Sequence, residues 1–156
     1  MNPETYHRIV VVEDNPADLW LIREALKARG VHCVIQPVGD GEQALKLINS
    51  EESRVDLFIL DMHLPKHGGE EILACLRATK HYARTPVIMM TALESSMDPA
   101  SEARIPTLAY FAKPSTLDDF MELGSIVVAL LENDHRPGAT AEPTELAGGN
   151  YDGESA

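Results

Sequence analysis

The stretch Ile9-Val10-Val11-Val12-Glu13-Asp14-Asn15-Pro16-Ala17-Asp18 decides the fold. Four apolar residues in a row, with no polar alternation, mark a strand covered on both faces. Asn15 then reads as a helix cap, Pro16 suits the first helical position, and Asp18 favours the positive helix end. The same pattern recurs along the chain. Apolar runs lie at Val31–Val38, Leu57-Phe58-Ile59-Leu60, Val87-Ile88-Met89-Met90 and Ala109-Tyr110-Phe111-Ala112. His32-Cys33-Val34-Ile35-Gln36 is more mixed, which predicts an edge strand. Amphipathic stretches lie between the runs. The first ends at Gly30, a good residue to follow a helix, and others span Gly41–Asn49, Gly69–Ala78 and Leu117–Glu132. Ser95–Arg104 has Pro99 inside it and Pro106 after it, which predicts a short or irregular helix. The order is (βα)₅. Right-handed crossovers then give an α/β fold with a doubly wound parallel sheet and helices on both faces.

Composition narrows the function. The chain has 156 residues, 44% of them hydrophobic and 24% charged, which suits one globular domain. No apolar run approaches the ~20 residues that span a bilayer. The first eight residues carry neither a signal core nor a transit-peptide composition, so the expected address is cytoplasmic. Thirteen basic residues against 25 acidic ones give a net charge of −12. Such a surface repels nucleic-acid phosphates and anionic lipid, so direct binding to nucleic acid or membrane is not expected. Basic protein partners or a bound cation fit better. Composition shifts near residue 134. Residues 134–156 hold five acids, one Arg, four Gly and a single aliphatic larger than Ala. They cannot bury enough apolar area to offset their ordering entropy, so a flexible acidic tail is expected after a domain over 1–133.

In parallel sheets of this kind, ligands bind at the carboxyl ends of the strands. The first strand runs into Glu13-Asp14, the third into Asp61, the fourth ends at Thr91, and the fifth runs into Lys113-Pro114. Three carboxylates in one crevice repel one another unless a cation is bound. Mg²⁺ fits, because it takes one or two carboxylates, keeps several waters and bridges to phosphate oxygens. A carboxylate can attack phosphorus and form an aspartyl phosphate. Phosphoryl transfer needs positioning and positive charge near the transferred oxygens, which Lys113 can supply beside the metal. The Thr91 hydroxyl can donate to a phosphoryl oxygen. Asp61 heads its own loop and is the candidate nucleophile, with Glu13 and Asp14 holding the metal. Singly, each of these residues has an ordinary reading as a turn or helix start. Together they occupy four strand ends in the region where such sheets bind ligands.

This constellation resembles the receiver domain of two-component response regulators. The resemblance covers about residues 8–133. It is carried by Glu13-Asp14, by Asp61 with His63-Leu64-Pro65 and Gly68-Gly69, by Thr91-Ala92 and by Tyr110-Phe111-Ala112-Lys113-Pro114. It implies a flavodoxin-like fold with strand order 2-1-3-4-5. It implies that Asp61 accepts a phosphoryl group from a sensor histidine kinase, and that Asp14, Asp61 and the His63 backbone carbonyl bind Mg²⁺ with Glu13 acting through water. Thr91 and Lys113 would contact the phosphoryl group, the Lys113–Pro114 bond would be cis, and Tyr110 would be the aromatic switch that turns inward as Thr91 moves. Output, and a homodimer, would use the face of the fourth helix (Ser95–Arg104), the fifth strand and the last helix. Departures are Glu13 for the commoner Asp, and Pro106-Thr107-Leu108 where many relatives have a Gly-Ala step. His63 and Leu93 would flank the attacking water. The opening Glu13–Asp18, with Leu21–Leu26, resembles stand-alone regulators that serve bacterial phytochrome kinases.

Other features have two readings. Leu21, Ile22, Ala25 and Leu26 define the buried stripe of the first helix, and Trp20 points away from it. It is either an exposed aromatic covered by Lys27 or Glu24, or an anchor for the kinase. Tyr110 is either plain core or a switch and partner contact. His63 and His67 are four apart, but Pro65 breaks any helix between them, so solvated loop residues are expected. Cys33 and Cys75 read as small buried residues. Three competing functions remain: a constitutive interaction module with a vestigial site, an aspartyl-phosphate phosphatase, and a flavin carrier. A phosphatase of the haloacid-dehalogenase type needs an acid two residues after the nucleophile, where His63 stands. An acid-lined crevice would repel a flavin phosphate. A phosphorylation-switched regulator, which is not an enzyme in the ordinary sense, therefore leads.

Overall fold

The computed structural model describes residues 6–50, 54–64, 66–91, 108–114 and 116–132. The elements run β1 His7–Val12, α1 Pro16–Ala28, β2 Cys33–Val38, α2 Gly41–Ser50, β3 Leu57–Asp61, α3 Gly69–Ala78, β4 Val87–Thr91, β5 Leu108–Ala112, α4 Leu117–Phe120 and α5 Glu122–Glu132. All five strands pair in parallel in the order β2-β1-β3-β4-β5. The expected Ser95–Arg104 helix, Leu93 and the 134–156 tail lie outside the described residues.

The unbroken apolar runs have a simple cause. Side chains alternate across a strand. Val10, Val12, Phe58, Leu60, Val87 and Met89 face α2 and α3, packing on Ala44, Ile48, Ile72, Leu76 and Tyr82. Ile9, Val11, Leu57, Ile59, Ile88 and Met90 face the other way, onto Ile22, Ala25, Leu26, Phe120, Leu123 and Val127. Each strand thus serves two cores. In contrast, β2 is an edge, with Val34, Gln36 and Pro37 exposed.

Helix α1 begins as its sequence predicts. Asn15 Oδ1 accepts from the Ala17 amide at 2.9 Å, and Pro16 stands at the first position. Beyond Arg29, Gly30 adopts φ +70°, the left-handed conformation glycine takes without cost. Of the expected stripe, Ile22, Ala25 and Leu26 are buried and Leu21 is half-buried. The last helix departs from expectation: Leu117–Glu132 is two pieces, meeting at Met121. Thr116 caps the first piece by accepting from the Asp119 amide at 3.2 Å. The Met121 amide is shared between the Leu117 and Asp118 carbonyls, which tightens the turn there. Gly124 lets α5 lie close on α1: a Cβ there would stand 2.6 Å from the Ala25 carbonyl oxygen. The Lys113–Pro114 bond, cis by the resemblance, is trans, and no cis peptide occurs among the described residues.

Candidate functional site

Strands β1, β3, β4 and β5 each deliver a polar residue, at their last position or just after it, to the same rim. Glu13 follows β1, and its amide donates to the Val38 carbonyl at 3.0 Å. Asp61 is the last residue of β3 and Thr91 the last of β4. Lys113 follows β5, tied to β4 by its amide donating to the Thr91 carbonyl at 2.7 Å. Adjacent acids face different surroundings: Glu13 is 4% exposed, whereas Asp14 is on the surface. Asp61 is 5% exposed and Thr91 fully buried. One carboxylate oxygen from each of Glu13, Asp14 and Asp61 can be chosen so that all lie within 4.8 Å of one another.

Backbone amides fix the carboxylates in place. The His63 amide donates to Asp61 Oδ1 at 3.0 Å, and the Asn15 amide donates to Glu13 Oε2 at 3.1 Å. The loop after β3 folds tightly, with the Gly69 amide donating to the Met62 carbonyl at 3.1 Å. A Cβ on Gly69 would stand 2.7 Å from the Asp61 carbonyl oxygen and 2.9 Å from Met62 Cα, so only glycine fits there.

Lys113 is the charge at the centre. Its Nζ donates to Asp18 Oδ2 at 2.9 Å and to Asp61 Oδ2 at 3.1 Å. It also lies 3.0 Å from Glu13 Oε1. That oxygen is buried and has no hydrogen-bond partner, so the ammonium reaches it by charge and not by an aligned hydrogen bond. The Glu13 carboxyl is pushed up to about 7: burial is the main cause and Asp61 adds to it, while the Lys113 ammonium and the Asn15 amide work against it. Burial works against the charged form of Lys113. The hydrogen bond to Asp18, the close contact with Glu13 and the charges of Glu13 and Asp61 outweigh that and hold the ammonium above its ordinary value.

The donor set fits a hard divalent cation. All three candidate ligand side chains are carboxylates, one buried oxygen lacks an aligned donor, and one ammonium does not balance the negative charge. The structure brings Glu13, Asp14, Asp61 and Lys113 into one crevice, and β4 ends beside it at Thr91. The His63 amide joins them through Asp61. Asp18, read from sequence only as a helix-start acid, also belongs to the crevice. A clue was its place four residues after Asp14, on the first turn of the helix that leaves this rim.

Tyr110 is half-buried on β5, beside Met89 in register, and Thr91 pairs with Ala112. Paired residues of parallel strands share a face, so Tyr110 and Thr91 lie on the same side of the sheet. Trp20 is 54% exposed on α1. His67 Nδ1 lies 2.9 Å from Glu71 Oε2, while His63 is exposed, in accord with loop residues. Cys33 and Cys75 are free and half-buried. Burial raises the Cys33 thiol and Arg23 partly offsets it, so nothing there favours a reactive thiolate.

Comparison with known proteins agrees with this geometry. The chain is 33% identical over 129 residues to the transcriptional regulatory protein CpxR of Escherichia coli (strain K12), covering 83% of this chain and 51% of CpxR. The chain therefore spans about half the length of that relative. It is 28% identical over 120 residues to the response regulator Rcp1 of Synechocystis sp. (strain ATCC 27184 / PCC 6803 / Kazusa), covering 74% of this chain and 82% of Rcp1. Among solved structures, the phosphorylated cyanobacterial phytochrome response regulator RcpA superimposes with a TM-score of 0.71 at 29% identity, covering 83% of this chain and 97% of RcpA. The Mn²⁺-bound form of Rcp1 gives 0.70 at 27%, covering 84% and 99%. The receiver domain of sensor histidine kinase PA1611 from Pseudomonas aeruginosa PAO1, with magnesium in its active-site cleft, gives 0.61 at 26%, covering 80% and 99%. The response regulator receiver domain profile matches residues 9–123. The chain belongs to the response regulator receiver domain family, whose members act as phosphoacceptors in two-component signalling.

Proposed function

We propose that Asp61 is the phosphoacceptor of a Mg²⁺-dependent regulator whose donor is the phosphohistidine of a sensor kinase. The observation that carries this is the Lys113 ammonium within 3.1 Å of Asp61 Oδ2, beside the buried Glu13 and the exposed Asp14. In the reaction, an Asp61 carboxylate oxygen attacks phosphorus. The O–P bond forms as the N–P bond breaks, and the histidine nitrogen leaves with the bonding pair. The His63 amide, holding Oδ1 at 3.0 Å, fixes the plane of the attacking carboxylate. Lys113 faces Oδ2 and meets the incoming negative charge. The Thr91 hydroxyl donates to a phosphoryl oxygen. Glu13, Asp14, Asp61 and the His63 carbonyl would hold Mg²⁺, which supplies charge neutralisation at the phosphoryl oxygens. Rcp1 and PA1611 carry Mn²⁺ and Mg²⁺ in their structures, which supports the choice of ion.

The switch follows from the shared face of Thr91 and Tyr110. Drawing Thr91 toward a phosphoryl group opens room for the Tyr110 ring, a local charge event that biases packing. Downstream, the regulator would act by phosphorylation-dependent contact with another protein. Charge argues against direct nucleic-acid contact, and none of CpxR's transcriptional role is carried over. The RcpA and Rcp1 likeness, with the Glu13–Asp18 opening, favours a bacteriophytochrome as kinase, and the exposure of Trp20 on α1 makes it the candidate kinase anchor. A homodimer would use the face of residues 95–104, β5 and the last helix. The regulatory domain would span 1–133, with 134–156 as a tail. No helix among the described residues is long and apolar enough to cross a membrane; a cytoplasmic address belongs to the same proposal.

The test is direct. Protein incubated with acetyl phosphate and Mg²⁺ should gain one phosphoryl group by intact mass, and Asp61→Asn should gain none. Equal uptake by Asp61→Asn would remove the mechanism.

A further inference from the structure

One acid in the crevice is unused by that mechanism. Asp18 stands on the first turn of α1, where a carboxylate is favourable without any further role. Its side chain does something else: Oδ2 accepts from Lys113 Nζ at 2.9 Å, the shorter of that ammonium's two hydrogen bonds, across 95 residues of sequence. We propose that Asp18 is a positioning residue that competes with the phosphoryl group for the Lys113 ammonium, and thereby weakens the grip of the crevice on its own modification. This inference rests on the reading of Asp61 as the phosphoacceptor.

The argument is one of occupancy and charge. An ammonium has three N–H groups. Two point at Asp18 and Asp61, and the remaining side faces Glu13 Oε1 at 3.0 Å. A phosphoryl oxygen must share the ammonium with partners that already hold two of its N–H groups. The Lys113 backbone cannot follow, because its amide is held by the Thr91 carbonyl at 2.7 Å. The ammonium must therefore swing by side-chain rotation. When Asp61 is esterified it loses its own charge and its pull on Lys113 fades. Asp18 keeps both its charge and its hydrogen bond, and pulls against the newcomer. Asp18 Oδ2 and Asp61 Oδ2 share one nitrogen, so they are at most about 6 Å apart, within range of strong interaction at a site this poorly exposed. With side chains only 17% and 22% exposed, Lys113 and Asp18 are weakly screened.

The test uses beryllofluoride, which mimics the phosphoryl group on Asp61, at saturating Mg²⁺. Asp18→Asn keeps the size and an acceptor oxygen but removes the charge. Binding measured by calorimetry should tighten on the order of tenfold, the scale of one unit charge removed at this distance. A residue that merely supported the fold would shift affinity the other way. Asp18→Glu, which keeps the charge, should return affinity to the wild-type value. In a Lys113→Gln background, Asp18→Asn should lose most of its effect. Unchanged or weaker binding by Asp18→Asn overturns the proposal. So does a gain that survives in full without Lys113, or one that Asp18→Glu also shows. Wild-type protein that fails to bind beryllofluoride at all overturns the phosphoacceptor reading instead, and this inference with it.

Discussion

Replacing Lys113 with Met removes the ammonium while keeping much of its packing. In the intact protein that ammonium lies 2.9 Å from Asp18, 3.0 Å from Glu13 and 3.1 Å from Asp61. The Glu13 and Asp61 side chains are 0% and 7% exposed, so water cannot replace it. Breaking one side of a buried ion pair costs about 3–5 kcal/mol. Glu13 can escape part of this by taking a proton, since burial already pushes it up to about 7. We therefore expect a loss of about 3 kcal/mol at pH 8 without divalent ions. For a domain of this size that is a fall in Tm on the order of 10 °C. The loss should shrink toward pH 5, where a protonated Glu13 no longer needs the ammonium. Mg²⁺ at a hundredfold excess over its Kd stabilises a native protein by about 2.7 kcal/mol. Its effect at a fixed concentration should be larger in Lys113→Met than in wild type, because a dication replaces the missing charge. Differential scanning calorimetry over pH, with and without Mg²⁺, reads all of this. A loss below about 1 kcal/mol at pH 8, or a Mg²⁺ effect no larger than wild type, would refute the electrostatic reasoning.

Other predictions follow from the same crevice. Asp61→Asn removes one of several crowded like charges, so the metal-free protein should be at least as stable as wild type, while Mg²⁺ affinity by calorimetry falls at least about tenfold. A Glu13 carboxyl raised to about 7 favours the folded metal-free protein when protonated. That contribution is complete below the ordinary value of 4.5 and is lost as pH rises through about 7. Mg²⁺ needs the deprotonated form, so its affinity should fall as pH drops below about 7, and Glu13→Gln should flatten that dependence. Gly69→Ala would press a methyl group against the Asp61 carbonyl and Met62 Cα, neither of which can yield cheaply. It should cost about 1–3 kcal/mol in urea unfolding and slow phosphoryl uptake, by displacing the loop that aims Asp61.

Much of this architecture was readable because burial is written plainly where both faces of a strand are covered. Ile9–Val12, Leu57–Leu60 and Val87–Met90 read as strands buried on both faces, and with the alternating helices their ends place Glu13, Asp61 and Thr91 on one rim. Continuity of pattern also hid one feature. Leu117–Glu132 keeps its apolar character across Met121, so nothing in composition marks the shared amide that divides α4 from α5. Asp18 was hidden for a different reason. An acid on the first turn of a helix is already explained locally, and its pairing with Lys113 depends on where β5 ends, 95 positions later. The difference between Glu13 and Asp14 is likewise tertiary. Both carboxylates reach the same crevice, and only the assembled rim shows that Glu13 is the one it buries.

The central claim is that Asp61 receives a phosphoryl group only when a divalent cation relieves its acidic surroundings. Borohydride reduction converts an aspartyl phosphate to homoserine, which tandem mass spectrometry locates by residue. After incubation with acetyl phosphate, homoserine should appear at position 61 with Mg²⁺ present and vanish when the ion is chelated. Homoserine at another acid, or equal conversion at position 61 without Mg²⁺, would contradict the account.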